Sequence, residues 1–162
     1  MRIPIVDEKD TLLEYKERAA INYEHDIFRT ASLWITNSQG DILLAQRKFD
    51  KKVDPGKWGE AVGGTVEGED DYEKTVLREA EEELGIKNMV VQLGPKQFIT
   101  KPCQYFVQWY TAVIDEPIES FIIQPEEVEQ IAWIPKDQLE AELHSDPDKY
   151  IASMPEIFAL FR

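Results

Sequence analysis

Cysteine is nearly absent from this chain. Cys103 is the only one among 162 residues, which excludes a disulfide framework and a Cys-rich zinc site. No apolar run is long enough to span a bilayer, and the opening MRIPIVDEKD lacks the hydrophobic region of a signal peptide. A cytoplasmic protein is therefore expected, with no membrane partner. Positive charge is scarce as well. Eighteen Lys and Arg stand against 32 Asp and Glu, a net charge of -14. That balance opposes binding to nucleic acid polymers or anionic membrane. It also sets a condition: an anionic substrate would need a positive group standing in the site. Low-complexity tracts, internal repeats and linkers are missing too, and the length suits one well-cored domain. The reading is thus a single domain over residues 1–162, of unknown oligomeric state.

What is present divides into short strands, one acidic helix and late helices. Ile3 to Val6 reads as a strand, and Leu12 to Ile21 as a strand followed by a short helix. Phe28 to Thr36 alternates as a strand, turns at Asn37-Ser38-Gln39-Gly40 and returns as Asp41 to Gln46, a hairpin. Arg47 to Trp58 reads as a polar loop containing Pro-Gly. Ala61 to Val66 reads as a strand whose Gly63-Gly64 marks a close backbone approach. Asp70 or Asp71 then opens a helix to Leu84 that Gly85 ends as a left-handed cap, with Asp70 and Glu73 arranged like a capping box. Val90 to Ile99, Gln104 to Ile114 and Gln130 to Ile134 read as strands, and Ile118 to Glu127 as a loop or broken strand. Lys136 to Leu143 reads as a helix, and Tyr150 to Phe161 as a helix interrupted by Pro155. This order predicts an α/β (α+β) fold, a mixed sheet between helices.

The stretch Gly64 to Ile86 holds nine carboxylates and two basic side chains. Glu79, Glu81, Glu82 and Glu83 crowd one turn, a spacing at which uncompensated like charge destabilises a helix. At 100° per residue Tyr72, Val76, Leu77, Ala80 and Leu84 form one apolar arc. Glu83 falls inside it, Glu79 on its border and Glu82 beside Glu79, while Glu81 and Arg78 point elsewhere. A carboxylate on a half-buried face must be paired or coordinate a metal. Clustered oxygens suit a hard divalent cation. The competing reading is a solvated acidic helix.

These residues resemble the signature of the Nudix hydrolase family: Gly, five residues, Glu, seven residues, Arg-Glu, an aliphatic, any residue, Glu-Glu, any residue, Gly, an aliphatic. The chain supplies Gly64 and then Arg78-Glu79-Ala80-Glu81-Glu82-Glu83-Leu84-Gly85-Ile86 in register. It departs at one position, where Asp70 stands for the first Glu and Glu69 lies one residue early. The resemblance implies a Nudix-type α/β/α sandwich. It also implies hydrolysis of a diphosphate bond in a nucleoside diphosphate derivative or related organic diphosphate, a small-molecule substrate. Mg2+ or Mn2+ would be held by Glu79, Glu82 and Glu83 with the carbonyl of Gly63 or Gly64, and Arg78 would hold a Glu in place. Glu79 and Glu82 are the first candidates to take the proton of the attacking water, with Glu126 and Glu127 as later-loop candidates. The bound metal would answer the condition set by the net charge.

Outside this segment, DILLAQR, PGKW and Gly-Gly in order resemble the branch that includes isopentenyl diphosphate isomerase and its hydrolase relatives. That isomerase needs a Cys near the segment here reading GEAVGG and metal-binding histidines, and the chain has neither there. A non-catalytic nucleotide sensor of the same fold is the other alternative; such sensors usually lose the carboxylates this chain keeps. Arg47, Lys48, Lys51, Lys52 and Lys57 form the one dense basic stretch, read either as phosphate capture or as a loop balancing nearby acid. Arg29, Arg47 and Lys57 are the candidate substrate contacts. Trp58, Phe98, Tyr105 and Trp109 are read as core, with stacking on a base as the alternative. His25 and His144 lie in polar segments and read as exposed.

Overall fold

The computed structural model describes residues 1–162. In chain order the strands are β1 (Arg2–Val6), β2 (Leu12–Glu17), β3 (Ile27–Thr36), β4 (Ile42–Arg47), β5 (Trp58–Glu60), β6 (Val62–Thr65), β7 (Gln92–Ile99), β8 (Gln104–Val113) and β9 (Val128–Ile134). The helices are α1 (Tyr72–Leu84), α2 (Lys136–Ser145) and α3 (Met154–Leu160), with short 3-10 turns at Arg18–Ala20, Ile118–Ser120 and Pro147–Lys149. No helix is long and apolar enough to cross a membrane.

β3 is the axis of the sheet. It pairs parallel with β8 over its whole length, from Ile27 opposite Gln104 to Thr36 opposite Val113. On its other side it pairs antiparallel with β6, Thr30 opposite Thr65 through Leu33 opposite Val62. β7 extends this part beyond β8, and β1 carries β2. The expected β3–β4 hairpin forms, but the two strands share only the pair Thr36–Ile42 before they diverge. β4 then pairs with β5 and β9 instead. The sheet therefore opens between β6 and β4, and the chain crosses that opening at Ala61, between β5 and β6.

Side chains alternate across a strand, and on β3 the two faces have different fates. Ala31, Leu33 and Ile35 are buried against Val76, Ala80 and Leu84 of α1. Trp34 faces the opposite layer, with Trp109, Leu139, Met154, Ile157 and Phe158. Helices thus cover both faces of a mixed sheet, as expected. On the Trp34 face the next residues back along β3 are Ser32 and Thr30. Their small side chains leave space that a large residue would fill.

Three expectations need correction. Trp58–Glu60 is a strand rather than the end of a loop, because its backbone completes the free edge of β4. The helix cap is Asp71, whose Oδ1 accepts from the Lys74 amide at 2.8 Å. With Lys at the third position there is no capping box. Pro155 does not interrupt a helix from Tyr150: α3 starts at Met154, so Pro155 lies in its first turn, where a missing N–H costs nothing. Tyr150 and Ile151 instead run extended beside Trp58, with the Ile151 amide donating to the Trp58 carbonyl at 3.0 Å.

Candidate active site

α1 is placed by its ends and its apolar stripe. Asp71 caps the first turn. Gly85, at φ 71°, closes the last one in the left-handed region and donates to the Glu81 carbonyl at 2.9 Å. Burial of Val76, Ala80 and Leu84 against the sheet then fixes which way the carboxylates point. Glu83 is carried to the opening beside β6, where its Oε2 accepts the Gly63 amide at 3.1 Å. Glu79 lies one turn earlier, directly beneath Gly64. A Cβ at position 64 would stand 2.4 Å from the Glu79 carboxyl carbon and from its Oε1. Glycine is therefore required there for close approach, the role read for Gly63-Gly64 from sequence.

Arg78 ties the cluster together. Its Nη1 donates to Glu79 Oε1 at 2.9 Å and lies 3.6 Å from Glu82, and its Nε is 3.5 Å from Asp70. Its Nη2 is buried without a hydrogen-bond partner. The Glu79 side chain is 15% exposed and Glu82 48%, so Glu79 is the enclosed carboxylate of this pair. Burial raises the Glu79 pKa against the pull of Arg78. Glu83 is pushed up to about 8, first by burial and then by Glu79, Glu60 and Glu127, with the Gly63 amide working the other way. Mutual repulsion of this kind is what a bound cation relieves. Glu79, Glu82, Glu83 and the Gly63 carbonyl could together supply an all-oxygen donor set for Mg2+. As the side chains stand, no three carboxylates share one point. Glu79 turns to Arg78 and Glu83 to the Gly63 amide.

The opening leads into a cavity of about 400 Å3 on the α3 face of the sheet. Glu83, Gly63 and Gly64 lie at one side of it, with Arg47 and Glu127. Arg47, one of the expected substrate contacts, lines the cavity and donates from Nε to the Val53 carbonyl at 2.9 Å. Arg29 is a correction. It projects to the α1 face and is locked by Asp10, with Nε at 2.6 Å from Oδ1 and Nη2 at 2.8 Å from the carbonyl. Lys57 is not among the residues that line the cavity, nor are Arg78, Glu79 and Glu82. Lys48 and Lys51 pair with Glu129 and Glu127, so much of the basic stretch balances acid, as its alternative reading held. Tyr105 and Trp109 line the cavity; Trp58 packs in the α2–α3 layer and Phe98 stacks on Phe106. His25 and His144 are exposed.

Sequence reasoning missed Glu60 and the wall supplied by Ile151, Ser153, Glu156 and Ile157. Glu60 carried a usable signal, a lone acid among the small and apolar residues of WGEAVGG. The C-terminal wall carried none, since only the fold brings it to the cavity.

The comparisons with known proteins agree with this arrangement. A family model described as "NUDIX domain" matches residues 26–154. The chain is 32% identical over 130 residues to the uncharacterized Nudix hydrolase PA4841 of Pseudomonas aeruginosa, covering 80% of this chain and 75% of that one. It is 31% identical over 150 residues to the uncharacterized Nudix hydrolase all7351 of Nostoc sp., covering 84% and 86%. Among solved structures, that of DR0079 from Deinococcus radiodurans superposes with a TM-score of 0.83 at 22% identity, over 100% of both chains.

Proposed function

This chain belongs to the Nudix hydrolase family, and from that premise we propose that it cleaves the diphosphate bond of a nucleoside diphosphate derivative or related organic diphosphate, in the cytoplasm and as a single domain. The observation that carries this reading is the meeting of α1 with the Gly63-Gly64 strand. Glu83 is bonded to the Gly63 amide at the mouth of a cavity, and Glu79 is pressed beneath Gly64. Glu79, Glu82 and Glu83 with the Gly63 carbonyl would hold Mg2+ or Mn2+. When bound, such a cation neutralises phosphate charge and lowers the pKa of a water. Arg78 keeps Glu79 oriented through its 2.9 Å bond. Glu79 and Glu82 are the first candidates to take the proton from the attacking water, with Glu126 and Glu127 as later-loop candidates. Arg47 faces the cavity and binds a phosphate of the substrate. Cleavage then breaks one P–O bond of the anhydride and leaves a phosphate on each product.

Isomerase chemistry is disfavoured, because Gly63 and Gly64 line the cavity and Cys103 does not. The test is a panel of nucleoside diphosphates, dinucleotides, sugar nucleotides and isoprenoid diphosphates, incubated with and without Mg2+ and analysed for monophosphate products by anion-exchange chromatography. Cation-dependent turnover of at least one class is expected. Glu83→Gln should lower it by about a hundredfold or more while leaving the circular dichroism spectrum unchanged. Wild-type turnover in that variant would refute the metal assignment. Tight nucleotide binding with no turnover across the panel would favour a sensor.

A further inference from the structure

The cavity has an uneven chemistry that says what its occupant must carry. Five carboxylates line it, Asp54, Glu60, Glu83, Glu127 and Glu156, against the single cation Arg47. Glu83 is occupied by the Gly63 amide and Glu127 by Lys51. Asp54, Glu60 and Glu156 make no side-chain hydrogen bond or ion pair within the chain. Of these, Glu156 is exposed and Glu60 is half-buried beside Gly63, its Oε1 3.5 Å from where a Gly63 Cβ would stand. Apart from its own backbone amide, Glu60 is thus an acceptor held inside the cavity without a donor. A few residues along the same face, Phe28 and Tyr105 stack on each other at 5.3 Å and both line the cavity. An isoprenoid chain would cover Glu60 and leave it unpaired, which is costly. A carbonyl-rich group would offer it no donor, and a further phosphorylated group would meet it with like charge. At about 400 Å3 the cavity lies near the lower end of the roughly 300–1,000 Å3 span of ligand pockets, room for one nucleoside rather than two.

We propose that the cavity selects a single amino-bearing nucleobase, packed along the Phe28–Tyr105 wall and donating its exocyclic N–H to the Glu60 carboxylate. This presupposes that the cavity is the substrate cavity of the hydrolase described above, and it names Glu60 as the residue that sets base specificity. Rejection of a base lacking the donor follows from the acceptor it would leave unsatisfied.

The test measures binding alone, so that it stands apart from turnover. Dissociation constants for CMP, UMP, AMP, GMP, IMP and isopentenyl monophosphate are determined by isothermal titration in EDTA. The amino-bearing member of at least one of the pairs CMP/UMP, AMP/IMP and GMP/IMP binds about tenfold to a hundredfold tighter than its partner. Isopentenyl monophosphate binds more weakly than that member. Glu60→Gln, checked for folding by its melting curve, brings the preferred pair to within about threefold, the loss of one charged acceptor. Equal affinities within all three pairs, tightest binding by the isoprenoid, or an undiminished preference in Glu60→Gln would overturn the proposal. The wild-type series decides the matter even if the variant fails to fold. Binding as expected without turnover of the matching diphosphates would support this assignment and sink the hydrolase reading instead.

Discussion

Glu83 is held far above the ordinary carboxylate range, to about 8 from 4.5, by burial and by three neighbouring acids. Between those two values the folded chain keeps a proton that the unfolded chain has released. Stability contributed by this group is therefore full below about pH 4.5 and lost as pH rises through about 8. Glu83→Gln keeps an oxygen for the Gly63 amide and removes the charge. Its melting temperature should fall less than that of wild type between about pH 5 and 8.5, measured by thermal denaturation without divalent cation; parallel curves would contradict the shift. The same proton must leave before a cation binds. Mn2+ titrated in buffers of differing ionisation enthalpy near pH 7 should therefore release close to one proton per ion. Gly64 is the second critical position. Gly64→Ala drives a methyl group into the Glu79 carboxyl group and must turn it away from Arg78. The expected outcome is loss of turnover by about tenfold to a hundredfold with the fold retained, read from steady-state rates and circular dichroism together.

Among the elements, α1 carries the site, and its geometry starts at Asp71. Asp71→Ala frees the Lys74 amide and should destabilise the protein by about 1 kcal/mol in urea denaturation, with kcat little changed. A cost near zero would mean that packing alone sets the helix. Much of this was legible beforehand. The apolar stripe, the Gly85 cap and the placement of Glu79 and Glu83 follow from local periodicity, which a single helix obeys whatever surrounds it. The cap itself was misplaced by one residue because Asp70 and Asp71 are chemically equal and only the backbone chooses between them. β5 was hidden because a three-residue strand has no periodicity and exists only through the edge of β4. Arg29 was misassigned for a related reason: sequence shows that it adjoins a strand, whereas the sheet's partners decide that its face meets α1 and Asp10.

For the molecule as a whole, charge is the governing quantity. A chain of net charge -14, with one cation against five carboxylates at its cavity, repels an anionic substrate at long range. Screening should help rather than hinder. At fixed Mg2+, kcat/KM is expected to rise several-fold as KCl goes from about 10 to 150 mM, because the Debye length shrinks from roughly 30 to 8 Å. A fall would show that Arg47 and the bound cation dominate the approach. The acidic half of the site could be read from composition and motif, since it lies within one helix. The cavity could not, because its walls come from β3, β7, β8 and the Ile151–Ile157 segment, which nothing in local sequence joins.

That last segment follows every other cavity-lining residue in chain order. During synthesis the carboxylate helix and the Gly63-Gly64 strand leave the ribosome well before Ile151 reaches Trp58. Until then the cavity lacks one side and the layer around Trp34 lacks Met154, Ile157 and Phe158. Enclosure of the substrate and completion of the core would thus arrive together, last in biogenesis.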